Sequence, residues 1–330
     1  MIALKRTPQK RREPPGTFTL LVAWAAGICA SGNACDLCAI YAAQQAEGAA
    51  GRGFVAGVAE QFTHFGTLQM DGQKVDDPTS QYLDSSISQV FAGYYFNERF
   101  GVQFNLPVIY RSFQRPEGFG IDRGTESGIG DVSLLGNARL FRTDSGDWTI
   151  TWNALGGVKF PTGSTDRITE EFEEVEVPGA PASGIHGHDL TLGSGSFDGL
   201  VGTSAFVRWR RAFLSAQVQY ALRSTGDYDY RFANDLTWLG GPGLYLALAH
   251  QYTLALQAVV SGEDKGTDTF QGESAEDTGV TAVYLGPQVD FTWGGKLSAE
   301  VAVDLPVSID NTALQAVPDY RVRAALAWHF

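Results

Sequence analysis

The chain has 330 residues, of which 44% are hydrophobic and only 18% charged, with 39 glycines and a formal net charge of −13. That acidic balance argues against a nucleic-acid partner. Mean hydropathy is −0.10, and beyond the N-terminus no apolar run reaches the roughly 18 residues of a helical span. An alternating strand averages out in a hydropathy window, so crossing by strands stays open.

In chain order, Lys5, Arg6, Lys10, Arg11 and Arg12 precede an apolar core from Phe18 to Ala30 and small residues up to Ala34. This is the layout of a secretory signal peptide, predicted over 1–34. Its removal takes five basic groups and one acidic, a net +4, so the mature charge falls from −13 to −17. Cys35 and Cys38 then form a C-x-x-C in a segment predicted over 35–53. No His follows, so the haem-attachment pattern is absent. A local disulfide, a metal or redox role, and lipidation of Cys35 all stay open.

Twelve strand-like stretches follow: 54–69, 82–96, 100–112, 129–143, 148–160, 197–209, 212–225, 231–249, 250–262, 279–293, 296–309 and 319–330. An even number suits a bacterial barrel with both ends on one side. Connections after even strands are tight, as at Asn97-Glu98-Arg99, Arg210-Arg211 and Gly294-Gly295. Those after odd strands are mostly long, at 70–81, 113–128, 161–196, 263–278 and 310–318, with a shorter one at 226–230. Sorting of loop length by strand parity is the outer-membrane arrangement.

Alternation separates two faces. Phe100, Val102, Phe104, Leu106, Val108 and Tyr110 point one way, with Gln103, Asn105 and Arg111 the other. Strands at 148, 212 and 297 repeat the pattern. The last strand sets Tyr320, Val322, Ala324, Leu326, Trp328 and Phe330 against Arg321 and Arg323. The first, second and eighth alternate less cleanly, and Gly240-Gly241-Pro242-Gly243 suggests a bulge or kink. The polar face predicts a wet lumen. Its lining is expected to include Arg111, Arg139, Lys159, Arg208, Arg223, Asp290, Glu300, Asp304, Arg321 and Arg323, with Asp131 and Asp198 near the mouth. Two accounts of these charges stand: cross-strand pairs that stiffen the wall, or a transverse field that orients a solute.

Three stretches carry a family resemblance: Gly128-Ile129-Gly130-Asp131, GVKFPTG at 157–163, and LGSGSFDG at 192–199. Together they resemble the family named for the meta-pathway of phenol degradation, outer-membrane barrels described as transporters. The resemblance implies uptake of an aromatic or organic compound.

The loop at 161–196 holds His186, His188 and Asp189 behind an acidic run from Glu170 to Glu176. Two His at i,i+2 beside a carboxylate can ligate a transition metal, and the same loop could fold into the pore and constrict it. An enzyme is not expected. There is no H-E-x-x-H, phosphate loop or dinucleotide fingerprint, and Ser194 and Ser196 read as loop residues in a Gly-Ser run.

The fold expected is all-β, a transmembrane antiparallel up-and-down barrel over 54–330. Its expected role is passive, moderately selective passage of small solutes across a Gram-negative outer membrane, with no cofactor. Expected partners are membrane lipid, the solute, and the barrel-assembly machinery through the C-terminal strand. The alternative is a sheath or docking protein for a periplasmic redox or metal-handling partner through Cys35 and Cys38.

Overall fold

The structure is a computed structural model that describes residues 52–172 and 177–330. The expectations for the signal peptide, for Cys35 and Cys38, and for Glu173, Glu174 and Glu176 lie outside the described residues. Twelve long strands form one closed sheet: β1 (Gly53–Met70), β2 (Tyr82–Tyr95), β3 (Phe100–Glu117), β4 (Ser133–Ser145), β5 (Trp148–Lys159), β6 (Asp198–Trp209), β7 (Ala212–Leu222), β8 (Asp235–Leu248), β9 (Tyr252–Lys265), β10 (Val280–Trp293), β11 (Leu297–Asn311) and β12 (Leu314–His329). Each pairs antiparallel with its chain neighbours, and β12 closes on β1 from Val55↔His329 to Met70↔Leu314. Every strand reaches the roughly 9–11 residues that a tilted crossing needs. Closure leaves no unpaired edge, which is the condition for placing a sheet in lipid. Among the described residues no helix is long and apolar enough to cross a membrane.

The outward face is the apolar one. Phe104, Leu214, Val301 and Leu305 each expose about half their surface, whereas inward Asn105 and Asp304 expose 1%. Trp148, Trp209, Trp293 and Trp328 are exposed near the short-turn rim, with Trp148 and Trp209 ring centroids 6.1 Å apart. A band of this kind, edged by aromatics, matches a lipid core bordered by its headgroups. The less regular alternation of β1 and β2 has a cause. Their outward face carries Glu60, which accepts from Ser86 and Ser88, and His64, 2.6 Å from Asp84.

Four expectations are corrected. The stretch 113–128 is not a loop, because β3 continues to Glu117 and pairs with a strand at Gly120–Ile129. The stretch 310–318 is not one either, since β11 turns into β12 at Thr312-Ala313. Asn311 makes this tight turn work by donating to the carbonyls of Gln69 and Ala313. In β8 the register shift falls between Tyr245 and Ala247, not at the glycines. Gly241 instead answers a close approach: its φ is +152°, and a Cβ there would stand 2.0 Å from the Ala258 carbonyl oxygen. Lastly, the inward face is polar but closely filled rather than wet at Gln61, Gln89, Gln103, Gln219 and Gln288, which are all buried.

Candidate functional site

The loop between β5 and β6 enters the barrel from the long-loop rim. It contains a 3₁₀ turn at Asp166–Phe172 and a single helical turn at Gly187–Leu190. Ile185 and Leu190 are buried with Phe65, Leu83 and Phe113, and Leu192 with Ile87 and Ile109. Those wall residues sit on the inward faces of β1, β2 and β3. These apolar side chains of the lumen wall thus have a partner: the loop.

Polar contacts complete the docking. Gly184 N donates to Gln81 Oε1 at 2.8 Å, Gln81 Nε2 to Ala182 O at 3.1 Å, and Ala316 N to Gly184 O at 2.7 Å. Arg111 donates to the carbonyls of Asp189 and Thr191, the latter at 2.6 Å. Arg115 bonds Glu170 at 2.7 Å, and Arg167 ties Glu170 to Glu126. Burial pushes the Glu170 carboxyl up, but the hydrogen bonds from Arg115 and Arg167 outweigh it and hold the group below its ordinary value.

The root of the loop is a buried ionic clasp, where the three resemblance stretches meet. Lys159 Nζ lies 2.5 Å from Asp131 and 2.8 Å from Asp198. Arg223 contacts Asp198 at 2.9 Å. Ser194 Oγ stands 2.5 Å from Lys159 Nζ, and Ser194 N donates to Asp131 at 2.8 Å. Ser196 Oγ donates to Asp198 at 2.7 Å. Asp131 also accepts from the backbone N–H groups of Thr162 and Gly163. The glycine of the K-x-P-T-G stretch is a packing requirement, because a Cβ at Gly163 would meet the Leu192 carbonyl oxygen at 2.5 Å. Each carboxylate is multiply bonded, which is how buried charge is tolerated. Ser194 and Ser196 therefore belong to the clasp. Only the proximity of Lys159 and the two Asp residues reveals their role, and that proximity is a product of the fold.

The histidines lie further along the same loop. His186 Nδ1 is 3.1 Å from Asp277 Oδ2, on the loop joining β9 to β10. His188 Nδ1 is 3.0 Å from Glu171, and its Nε2 is 3.4 Å from Asp189 Oδ1. The two imidazoles stack at 5.6 Å. Burial lowers the His188 pKa, but the carboxylates of Asp189, Glu171 and Asp277 overcome it and push it up to about 10. Glu171 is held down to about 2: burial works against this, and His188 prevails. Asp277 joins the two histidines from a different loop, a grouping that sequence spacing does not reveal. Asp189 accepts from the His186 N–H at 2.9 Å.

The remaining expected lining residues divide by depth. Arg323 pairs with Asp304 at 2.7 Å. Arg321 reaches Glu263 at 3.4 Å rather than Glu300, and its guanidinium lies 4.6 Å from the Tyr284 ring centroid. Glu300 is buried nearby. Arg139, Arg208 and Asp290 are half-buried toward the short-turn rim, where Arg208 donates to Thr149 at 2.6 Å.

No family model and no curated protein sequence matches the chain. Among solved structures it is similar to an outer membrane channel from Pseudomonas putida F1, at TM-score 0.59 and 13% identity over 86% of this chain and 98% of that one. Looser likenesses are the β domain of a Bordetella autotransporter (TM-score 0.45, 11% identity, 84% and 99% covered) and the translocator domain of the Neisseria meningitidis autotransporter NalP (TM-score 0.43, 13% identity, 88% and 93% covered). At these identities the likeness is one of fold.

Proposed function

We propose that the chain is an outer-membrane channel that passes small solutes passively, with the loop at 161–196 as its constriction. The observation that carries this reading is a closed barrel, greasy outside and polar inside, crossed by one of its own loops. The channel of similar fold supports it. The signal-like residues 1–34, a periplasmic segment at 35–53 and a barrel from about 54 onward fit export to the Gram-negative outer membrane. There the last strand would be read by the assembly machinery. The three stretches that resemble the phenol meta-pathway family support an aromatic or organic solute. Arg111, Lys159 and Arg223 hold the loop on this reading, while Arg139, Arg208 and Asp290 line the passage on the short-turn side. A lumen occupied by the chain's own loop weighs against a sheath around a periplasmic partner.

Planar-bilayer recording of the refolded protein tests the reading. Replacing residues 166–190 with a short Gly-Ser linker is expected to raise single-channel conductance several-fold. Arg208→Ala in that background is expected to shift the reversal potential toward cation selectivity. A barrel that stays non-conducting after the deletion would overturn the proposal.

A further inference from the structure

The two inserted histidines are more elaborate than docking requires. Apolar side chains at 186 and 188 would fill the same space without demanding three carboxylates around them. His186 and His188 are both buried, and their ligand atoms and that of Asp277 all lie within 4.8 Å of one another. Tetrahedral zinc, with bonds of about 2.0–2.1 Å, has ligand-to-ligand edges of about 3.3–3.4 Å. The His186 Nδ1 to Asp277 Oδ2 separation of 3.1 Å is already near that edge.

We infer that His186, His188 and Asp277 form a binding site for a divalent transition-metal ion, which staples the inserted loop to the neighbouring loop between β9 and β10. Two imidazole nitrogens and a carboxylate oxygen are a borderline donor set, suited to zinc, copper or nickel rather than to calcium or magnesium. Asp189 Oδ1, 3.4 Å from His188 Nε2, stands ready as a fourth donor or as the anchor for a bound water. Glu171 occupies the supporting position: it lies 3.0 Å from His188 Nδ1 and accepts from the His188 backbone N–H at 2.8 Å. A carboxylate on one ring nitrogen orients the imidazole and directs the other nitrogen to the ion. Gly187 lets the ligand turn lie flat on the rest of the loop, since a Cβ there would come within 2.2 Å of the Arg167 carbonyl oxygen.

The consequence follows from the topology. His186 and His188 ride on the constriction, whereas Asp277 belongs to a 3₁₀ turn at Glu276–Thr278 just before β10. That turn is braced within its own loop, because Thr278 Oγ1 accepts from Asp268 N at 2.8 Å, and it is tied to the β11–β12 turn, because Gly279 N donates to Thr312 Oγ1 at 2.9 Å. An ion shared between them would stabilise the inserted position of the loop by its differential affinity for that position. The metal would then close the channel, an effect that rests on the channel reading above, whereas the site itself does not.

Zn²⁺ titration of the refolded full chain, read by competition with a chromophoric chelator, tests the site without any conductance measurement. One equivalent is expected to bind the wild type, with the affinity of His186→Ala/His188→Ala falling at least ~100-fold and that of Glu171→Gln about 10-fold or more. Asp277→Asn changes no ligand-turn backbone and guards against a folding artefact; it is expected to weaken binding and to leave the far-UV spectrum and heat-modifiable mobility of the barrel unchanged. Equal binding by the wild type and both His186→Ala/His188→Ala and Asp277→Asn would overturn the site. Stoichiometric binding with Zn²⁺-independent conductance would keep the site and overturn its closing role. Blockade of the wild type by Zn²⁺, reversed by EDTA and lost in Asp277→Asn, would support both.

Discussion

At the long-loop end of the lumen, Ile185, Leu190 and Leu192 of the inserted loop fill the space between Phe65, Leu83, Ile87, Ile109 and Phe113. Below them Lys159, Asp131 and Asp198 lock the loop's root. At the short-turn end, Arg139, Arg208 and Asp290 are half-buried and Arg208 bonds outward to a turn carbonyl, that of Arg210, at 3.1 Å. The same twelve strands wall both ends. What differs is the presence of the inserted loop, which converts inward apolar and charged side chains into docking contacts. Inward charge therefore has two meanings in this barrel. Near the loop, and in the Arg323–Asp304 pair, it is neutralised internally; on the channel reading proposed above, Arg139, Arg208 and Asp290 line the passage.

Removing the central cation of the clasp should break this comparison most forcibly. Lys159→Met leaves Asp131 and Asp198 buried without their shared ammonium. Breaking a buried pair in this way costs about 3–5 kcal/mol. The expected outcome is a loop that is cut by protease at 161–196 in a barrel that still resists heat and detergent on electrophoresis. Asp131→Asn/Lys159→Met/Asp198→Asn/Arg223→Gln removes charge from every member and is expected to regain part of the protection. Arg208→Ala, at the other end of the lumen, should leave the cleavage pattern unchanged. If Lys159→Met were as protected as the wild type, the clasp would not hold the loop.

A smaller effect should come from the apolar contacts. Leu192→Ala empties a buried contact against Ile87 and Ile109, and a Leu→Ala change in a packed site costs about 2–5 kcal/mol. Here the loop can settle into part of the space, so the lower end of that range applies. Chymotryptic cleavage rates at 161–196 are expected to rise by more than tenfold, since 1.4 kcal/mol is a factor of ten. Leu214→Ala changes a side chain that faces outward and should leave those rates as they are.

These two substitutions also mark how far the sequence could be read. The barrel was legible because a period of two is local. Phe100 to Tyr110 and Tyr320 to Phe330 announce an outward face with no knowledge of what lies across the sheet. Loop parity was legible for a similar reason, although 113–128 and 310–318 were misjudged because polar hairpin extensions resemble loops. Inward apolar residues such as Phe113 and Ile109 carry no local sign of their role, and their meaning depends on a loop some 80 residues away in the chain. The site was half legible. His186 and His188 stand close in sequence and were singled out, but Asp277 lies on another loop and Glu171 was one acidic residue in a run. Ser194 and Ser196 were read as loop residues, which they are, but their place in the clasp was not legible, since their partners Lys159, Asp131 and Asp198 come from three separate strands or strand ends.

The mildest perturbation is acid. Glu170 bonds Arg115 and Arg167 at the mouth, and those bonds hold its pKa below the ordinary glutamate value despite the opposing effect of burial. In an undocked loop the carboxyl regains that ordinary value. A group whose docked pKa is depressed favours docking fully above its undocked pKa, and the contribution fades as pH falls through the docked value. Protease protection of the loop is thus expected to be flat through neutral pH and to decline in the acidic range below the ordinary glutamate pKa. Because the pair is partly open to solvent, salt screening should reduce the effect. Glu170→Gln should already show at neutral pH the weaker docking that the wild type reaches only in acid, and it should flatten this part of the profile. A Glu170→Gln profile that fell as steeply as the wild type's would assign the acid response to other carboxylates at the mouth, Glu126 and Asp122 among them.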